Sequence, residues 1–292
     1  MTDIMLSEEK RAVIENIRRA LADGDTFRCV TVGDPVPTDE DVRRVILPFD
    51  NTRGGVFARF RAFTARLIAE SLTSKFNVDT AITGIENALS VTGGAIITSN
   101  HYNPTDSTPI RMLSYLSGKR QNLHIVVQES NMFMTGLFGY LMRNCNTHPV
   151  SKNPHYMVKN LKPALGNILK NEGFVLIYPE QEMWFNYKKP RPVRDGAYHY
   201  AALFGVPVIP TFTEMVTLDG ERDADGLLPV KHILHILPPI YPDESLSVSE
   251  NRAAMAERDY AAKRELYERI YGIPLTYDFI PERDIAGLVA KK

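Results

Sequence analysis

His101 and Asp106 stand five positions apart in the run Asn100-His101-Tyr102-Asn103-Pro104-Thr105-Asp106-Ser107, and residues of these types at this spacing can form a general-base pair. An imidazole changes charge near neutral pH. A carboxylate bonded to one ring nitrogen fixes the tautomer, leaves the other nitrogen basic and stabilises the imidazolium formed on proton uptake. Pro104 sets the turn that lets Asp106 reach back to the ring. This is the logic of a catalytic triad without its serine, so no nucleophilic side chain is required. The competing reading is structural: His101 closes a strand, and Asp106 or Ser107 caps the helix that follows.

The elements that must position the pair appear from about residue 80 onward, where short apolar runs alternate with longer helical patterns, the mark of βα units. Strands are expected over 94–99, 123–128, 174–179, 206–212 and 233–237, with helices over 107–116, 133–143, 156–170 and 196–204. The pair then follows the first of these strands, and α/β sheets build their sites at the carboxyl ends of strands. The expected fold class is α/β: a central, mostly parallel or mixed sheet flanked by helices, with an N-terminal helical extension. A last charged helix over 250–271 ends at Gly272, with Pro274 beyond it as a stop.

Ahead of this region, residues 8–21 carry Ala12, Val13, Ile17 and Leu21 at helical spacing and read as a peripheral surface helix. Residues 33–40 mix Gly, Pro and Asp as a linker does. Residues 56–72 then interleave Phe57, Phe60, Phe63, Ile68 and Leu72 with Arg59, Arg61 and Arg66. That basic amphipathic helix either packs its aromatic stripe on the core or lays it on a membrane surface.

Charged residues make up 24% of the 292, and the formal net charge is -1, so no global field selects nucleic acid or an anionic surface. Cys29 and Cys145 show no metal-ligand spacing, and neither a zinc site nor a disulfide framework is expected. Met1 to Lys10 lack the basic and apolar regions of a signal peptide. No uncharged apolar run reaches the roughly 18 to 20 residues that a bilayer-crossing helix needs. A cytoplasmic protein that meets lipid from one side is the expectation. His232 and His235, three apart on a strand, face opposite sides and cannot share a metal there. His124, His148, His155 and His199 have no sequence partner and read as structural or exposed.

Two later strand ends extend the pattern: Phe174-Val175-Leu176-Ile177-Tyr178-Pro179-Glu180-Gln181 and Val206-Pro207-Val208-Ile209-Pro210. With the His101 run they resemble the glycerolipid acyltransferases, the family that includes lysophosphatidic acid acyltransferases. There a histidine, four residues and an aspartate form the first motif, matched by His101 to Asp106. A Phe-Pro-Glu-Gly block is matched by Tyr178-Pro179-Glu180, with Gln181 replacing the glycine, and an apolar block with a central proline is matched by residues 206–210. Gly196-Ala197 ahead of a helix also fits, and the likeness spans about residues 85 to 215.

The resemblance implies an O-acyltransferase with His101 as general base and Asp106 as its partner. Such an enzyme moves a fatty acyl chain from a thioester of coenzyme A or acyl carrier protein to a hydroxyl of a lysophospholipid or related glycolipid. It implies no bound cofactor and no metal. Its implied partners are the lipid acceptor, the acyl donor, acyl carrier protein among the candidates, and the inner face of a membrane, with no role for nucleic acid. The chain divides accordingly into an N-terminal helical region with a membrane-facing helix (1–79), an acyltransferase α/β domain (80–245) and a C-terminal helix and tail (246–292). An acyl-thioester or lipid hydrolase, and a catalytically silent lipid-binding protein of the same fold, are the rival readings.

The chain departs from the family after Pro179-Glu180, where a threonine and a phosphate-holding arginine are usual and Gln181-Glu182-Met183-Trp184 stands instead. A planar guanidinium suits phosphate, so a lysophosphatidic acid acceptor loses its usual contact. Lys188, Lys189, Arg191 and Arg194 follow closely and are candidates to replace it, against the alternative of a solvated basic loop. Lys152 lies nearest to the arginine of a further family block, for which Gly136 and Gly139 are the other matches, and is a candidate headgroup contact. Glu180 is expected to accept from the acceptor's hydroxyl or to order the loop, and Asn100, beside the base, is counted among the substrate contacts. The stretch from Phe133 to Met142 either walls an acyl groove or fills the core.

Overall fold

The computed structural model describes residues 7–49, 53–120 and 122–289; residues 1–6, part of the stretch read for a signal segment, lie outside them. Among the described residues seven strands form one sheet: β1 (Ala81–Thr83), β2 (Ala95–Thr98), β3 (Leu123–Gln128), β4 (Thr147–Val150), β5 (Phe174–Ile177), β6 (Val208–Thr217) and β7 (Val230–Ile236). Their order is β1-β7-β6-β2-β5-β3-β4. Every pairing is parallel except that of β6 with β7, so the sheet is mixed and the fold α/β.

The middle of the sheet is set by β2, which pairs Ile96 with Val175 on one side and with Val208 on the other. All four of its residues are buried, as an uninterrupted apolar strand covered on both faces requires. Alternate side chains enter opposite layers. Ile96, Val175 and Val208 pack with Leu165, Ile168, Tyr198 and Met255, whereas Ile97, Leu176 and Ile209 pack with Ala88, Ile110 and Leu113.

The helices are α1 (Ser7–Ala22), α2 (Asp39–Asp41), α3 (Val56–Phe76), α4 (Ile85–Leu89), α5 (Ser107–Leu116), α6 (Gly136–Asn144), α7 (Pro154–Tyr156), α8 (Lys162–Lys170), α9 (Gly196–Phe204), α10 (Val248–Tyr271) and α11 (Pro281–Asp284). The helix expected over 156–170 is α7 continuing through a π-helical stretch, Met157–Leu161, into α8. The one expected over 133–143 begins instead with a 3-10 turn, Glu129–Phe133, and resumes as α6. Gly139 is required there: a Cβ would stand 1.8 Å from the Met134 carbonyl oxygen.

Two strands escape the sequence reading. Both β1 and β4 are short edge strands, and β4 contains His148 and Pro149, residues that weaken any strand signal and that an edge tolerates. A larger difference concerns α1, expected to be peripheral. Its Val13, Ile17 and Ala20 are fully buried against Trp184, Phe185, Tyr187 and Ile285, so it packs on the segment that follows Glu180.

The opposite correction applies to α3. Ala65, Ala69 and Thr73 face the protein, while Phe57, Phe60 and Phe63 are 80%, 65% and 51% exposed. The aromatic stripe therefore does not pack on the core. Arg59 and Arg61 are exposed beside it, and Leu137 of the adjacent α6 joins the patch. Among the described residues no helix is long and apolar enough to cross a membrane.

The last long helix is held to the centre of the sheet. Asp259 of α10 accepts hydrogen bonds from Thr98 Oγ1 at 2.7 Å, from the Tyr198 hydroxyl and from Lys263 Nζ at 3.1 Å, all four residues being buried. This fixes the end of β2, three residues before His101.

Candidate active site

The chain leaves β2 through Ser99 and turns at Asn100. The Asn100 side chain accepts from the Thr213 backbone N–H at 2.8 Å and donates to its carbonyl at 3.1 Å. Both of its polar groups are thereby committed to β6, and Asn100 anchors the loop instead of reaching a substrate. The Asp106 backbone N–H donates to the Asn103 carbonyl at 3.0 Å, closing the turn that Pro104 favours.

His101 Nδ1 lies 2.6 Å from Asp106 Oδ2. An ionised carboxylate only accepts, so Nδ1 carries the proton and Nε2 is left as the basic atom. Nε2 has no hydrogen-bond partner among the described residues, and the ring borders a large cavity. Asp106 is buried and also accepts from the Tyr102 N–H at 3.0 Å, the Asn103 N–H at 3.4 Å and the Tyr178 hydroxyl at 2.6 Å. Its side chain makes no capping bond to α5, although its backbone occupies the position before that helix. The capping alternative is thus excluded: the carboxylate is turned back onto the histidine loop.

Glu180 supports the same loop from beneath. Its Oε2 accepts from the His101 backbone N–H at 3.3 Å and from Arg191 Nε at 3.2 Å, while Oε1 accepts from the Arg191 backbone N–H at 3.0 Å. The Arg191 guanidinium also donates to the carbonyls of Thr26 and Glu182 and lies 4.4 Å from the centre of the Trp184 ring. Both side chains are almost fully buried. Of the two roles expected for Glu180, the loop-ordering one is therefore occupied by protein donors.

The other basic candidates separate cleanly. Lys189 is buried and paired with Asp284 at 2.9 Å, and Lys188 is half-buried over the Tyr271 ring. Lys152 is exposed. None of these three, nor Arg191, borders the cavity, and the acceptor contact expected of them has no place in this geometry. Arg194 does border it. Its guanidinium sits 3.8 Å over the Phe27 ring and has no carboxylate within ion-pair distance among the described residues.

The cavity measures about 1210 Å³, above the roughly 300–1,000 Å³ of ordinary small-molecule sites. Its apolar lining includes Val126, Phe133, Met134, Phe138, Met142 and Ile177. Within the stretch from Phe133 to Met142, Phe133, Met134, Phe138 and Met142 border the cavity, while Phe133 and Met142 also pack against the core. Its polar lining includes Glu182, Arg194, His199 and Arg252, and the linker residues 31–35 border it as well. Arg252, on α10, pairs with Asp195 at 3.2 Å; nothing in its helical spacing distinguished it from other surface charges.

Elsewhere, His124 Nδ1 and His148 Nε2 are 2.9 Å apart across β3 and β4. Burial is the main reason that their pKa values fall to about 4 and about 3. His235 bonds Glu214 and Thr83. His232 is buried against Tyr102, and burial lowers its pKa to about 4. No cluster of three or more metal-ligating side chains exists among the described residues.

Residues 79–214 match the family model described as acyltransferase. No curated protein matches the sequence. Among solved structures, the chain is similar to the 1-acyl-sn-glycerophosphate (LPA) acyltransferase PlsC from Thermotoga maritima. The two are 17% identical over 87% of this chain and 97% of that one, with a TM-score of 0.47.

Proposed function

We propose, on the premise that residues 79–214 match the acyltransferase family model, that this chain moves a fatty acyl chain from a thioester to a hydroxyl of a lysophospholipid or related glycolipid. The observation that carries this reading is His101: its Nδ1 is bound by Asp106, and its ring opens on a cavity lined by both apolar and charged side chains.

In the reaction, the acceptor hydroxyl lies against His101 Nε2 and gives it a proton as the oxygen attacks the thioester carbonyl. Asp106 stabilises the imidazolium. The tetrahedral intermediate collapses with cleavage of the carbon–sulfur bond, and the proton on His101 passes to the departing thiolate. The products are an ester and a free thiol of coenzyme A or acyl carrier protein, with no covalent enzyme intermediate. The acyl chain lies against the apolar lining, Phe133, Met134, Phe138 and Met142 among it, and Arg194 holds the acceptor's anionic group.

A lipid acceptor must be collected from a membrane. The exposed face of Phe57, Phe60, Phe63 and Leu137, flanked by Arg59 and Arg61, has the composition of an interfacial helix surface. Phe138, next to Leu137, borders the cavity. We assign this face to peripheral contact with the inner leaflet.

The test supplies labelled acyl thioester with a panel of lysophospholipid and glycolipid acceptors, comparing the wild type with His101→Ala. Acceptor-dependent thiol release, reduced at least about a thousandfold in the variant, is expected. Release that ignores every acceptor would make the protein a hydrolase. Release equal in both proteins would remove His101 from the chemistry.

A further inference from the structure

We propose that Tyr178 is the positioning residue of the dyad, holding the His101 ring by stacking and the Asp106 carboxylate by its hydroxyl. The proposal rests on reading His101 as the base. The Tyr178 and His101 rings lie 4.1 Å apart between centroids and are inclined by only 15°. The same phenol donates to Asp106 Oδ1 at 2.6 Å, while Asp106 Oδ2 takes His101 Nδ1 at 2.6 Å. One side chain thus touches both members of the pair, from a different strand end and 72 residues further along the chain.

The consequence is twofold. Stacking and the hydrogen bond together remove the ring rotation of His101 and the rotation of the Asp106 carboxylate, so Nε2 is aimed before substrate arrives. The hydroxyl also draws charge from Asp106, which lowers its power to stabilise an imidazolium. The phenol itself stays a donor: burial first, and the Asp106 charge next, push its pKa well above the usual tyrosine value.

Other charged or titratable groups face the pair from each surrounding element. Tyr102 lies on the same loop, Glu180 with Arg191 follows β5, Arg111 comes from α5 and His232 from β7. None of these bonds the free carboxylate oxygen, Oδ1, which belongs to Tyr178.

Tyr178→Phe keeps the ring and removes only the hydroxyl. In the imidazole NMR titration of the whole chain, the His101 resonance of the variant is expected to titrate at higher pH than that of the wild type. With the best acceptor, kcat is expected to fall roughly tenfold at unchanged KM, and the acid limb of the pH profile to move upward. In the wild type, the Tyr178 hydroxyl proton should appear as a slowly exchanging downfield resonance, a measurement that does not depend on the variant folding. An unmoved His101 titration in a folded variant, or a rapidly exchanging hydroxyl in the wild type, overturns the proposal. Because both readings are made without substrate, a chain that transfers no acyl group yet shows the shift would sink the proposed function and leave this inference standing.

Discussion

Arg191 lies 3.1 Å from the Glu180 carboxylate with both side chains withdrawn from solvent, and Glu180 in turn accepts the backbone N–H of His101. A cation of the segment after β5 is therefore part of the support of the His101 loop, two contacts removed from it.

Arg191→Met leaves Glu180 buried without its cation, a change that costs about 3–5 kcal/mol in comparable sites. The denaturation midpoint should drop sharply at neutral pH. A variant of full stability with only a raised acceptor KM would return Arg191 to the role of a substrate contact.

Gln181 stands where the family carries glycine, and its backbone is left-handed, with φ of 65°. That conformation costs a side-chain-bearing residue roughly 1–2 kcal/mol, against roughly 0.5–1 kcal/mol for the extra chain freedom of glycine. Gln181→Gly is thus expected to stabilise the protein by up to about 1 kcal/mol, measured by equilibrium unfolding. A loss of stability would mean that the Gln181 side chain contributes more than its backbone costs.

The His124–His148 pair makes stability depend on acidity. Their folded pKa values of about 4 and about 3 lie below the unfolded value near 6.5, so between these limits the unfolded chain binds more protons. Stability is full above about pH 6.5 and declines as pH falls toward about 4. Replacing both residues by glutamine should flatten the fall of the urea midpoint across that window without abolishing it, since His232 is shifted in the same direction. An identical slope in the double variant contradicts the assignment.

In the proposed function Arg194, which borders the cavity, meets an anionic acceptor headgroup. Arg194→Gln should raise the KM for a phosphate-bearing acceptor about tenfold or more while sparing kcat, because a charge-assisted pair is lost and the base is untouched. Steady-state kinetics with phosphate-bearing and neutral acceptors separate the two cases: an equal effect on both would remove the phosphate from the argument.

The dyad and its strand were legible because one local stretch, from Ala95 to Ser107, contains both the apolar run and the polar turn. What escaped depends on distance in sequence. Glu180 and Asn100 looked like substrate contacts because their types suit that role, yet their partners, Arg191 and Thr213, are fixed only by folding. Lys189 read as a solvated or ligand-binding cation because nothing nearby announces Asp284. The aromatic stripe of α3 matched a core-facing helix in periodicity, and only the small face of Ala65 and Ala69 reveals which side the protein uses. Tyr178 passed as a conservative match to phenylalanine, and the hydroxyl that distinguishes the two is the atom that bonds Asp106.

The segment that carries Glu180 and Arg191 is held by both ends of the described chain. Thr26 and Arg28 accept from Arg191 and Trp184, and Ala286 and Lys188 donate their backbone N–H groups to Asn186 and Asp284. During synthesis, the histidine loop emerges long before residues 284–286 exist to brace the segment beneath it. A nascent chain can fold its first strands and still lack the bracing of its histidine loop, which is complete only once translation has passed the last of these supports.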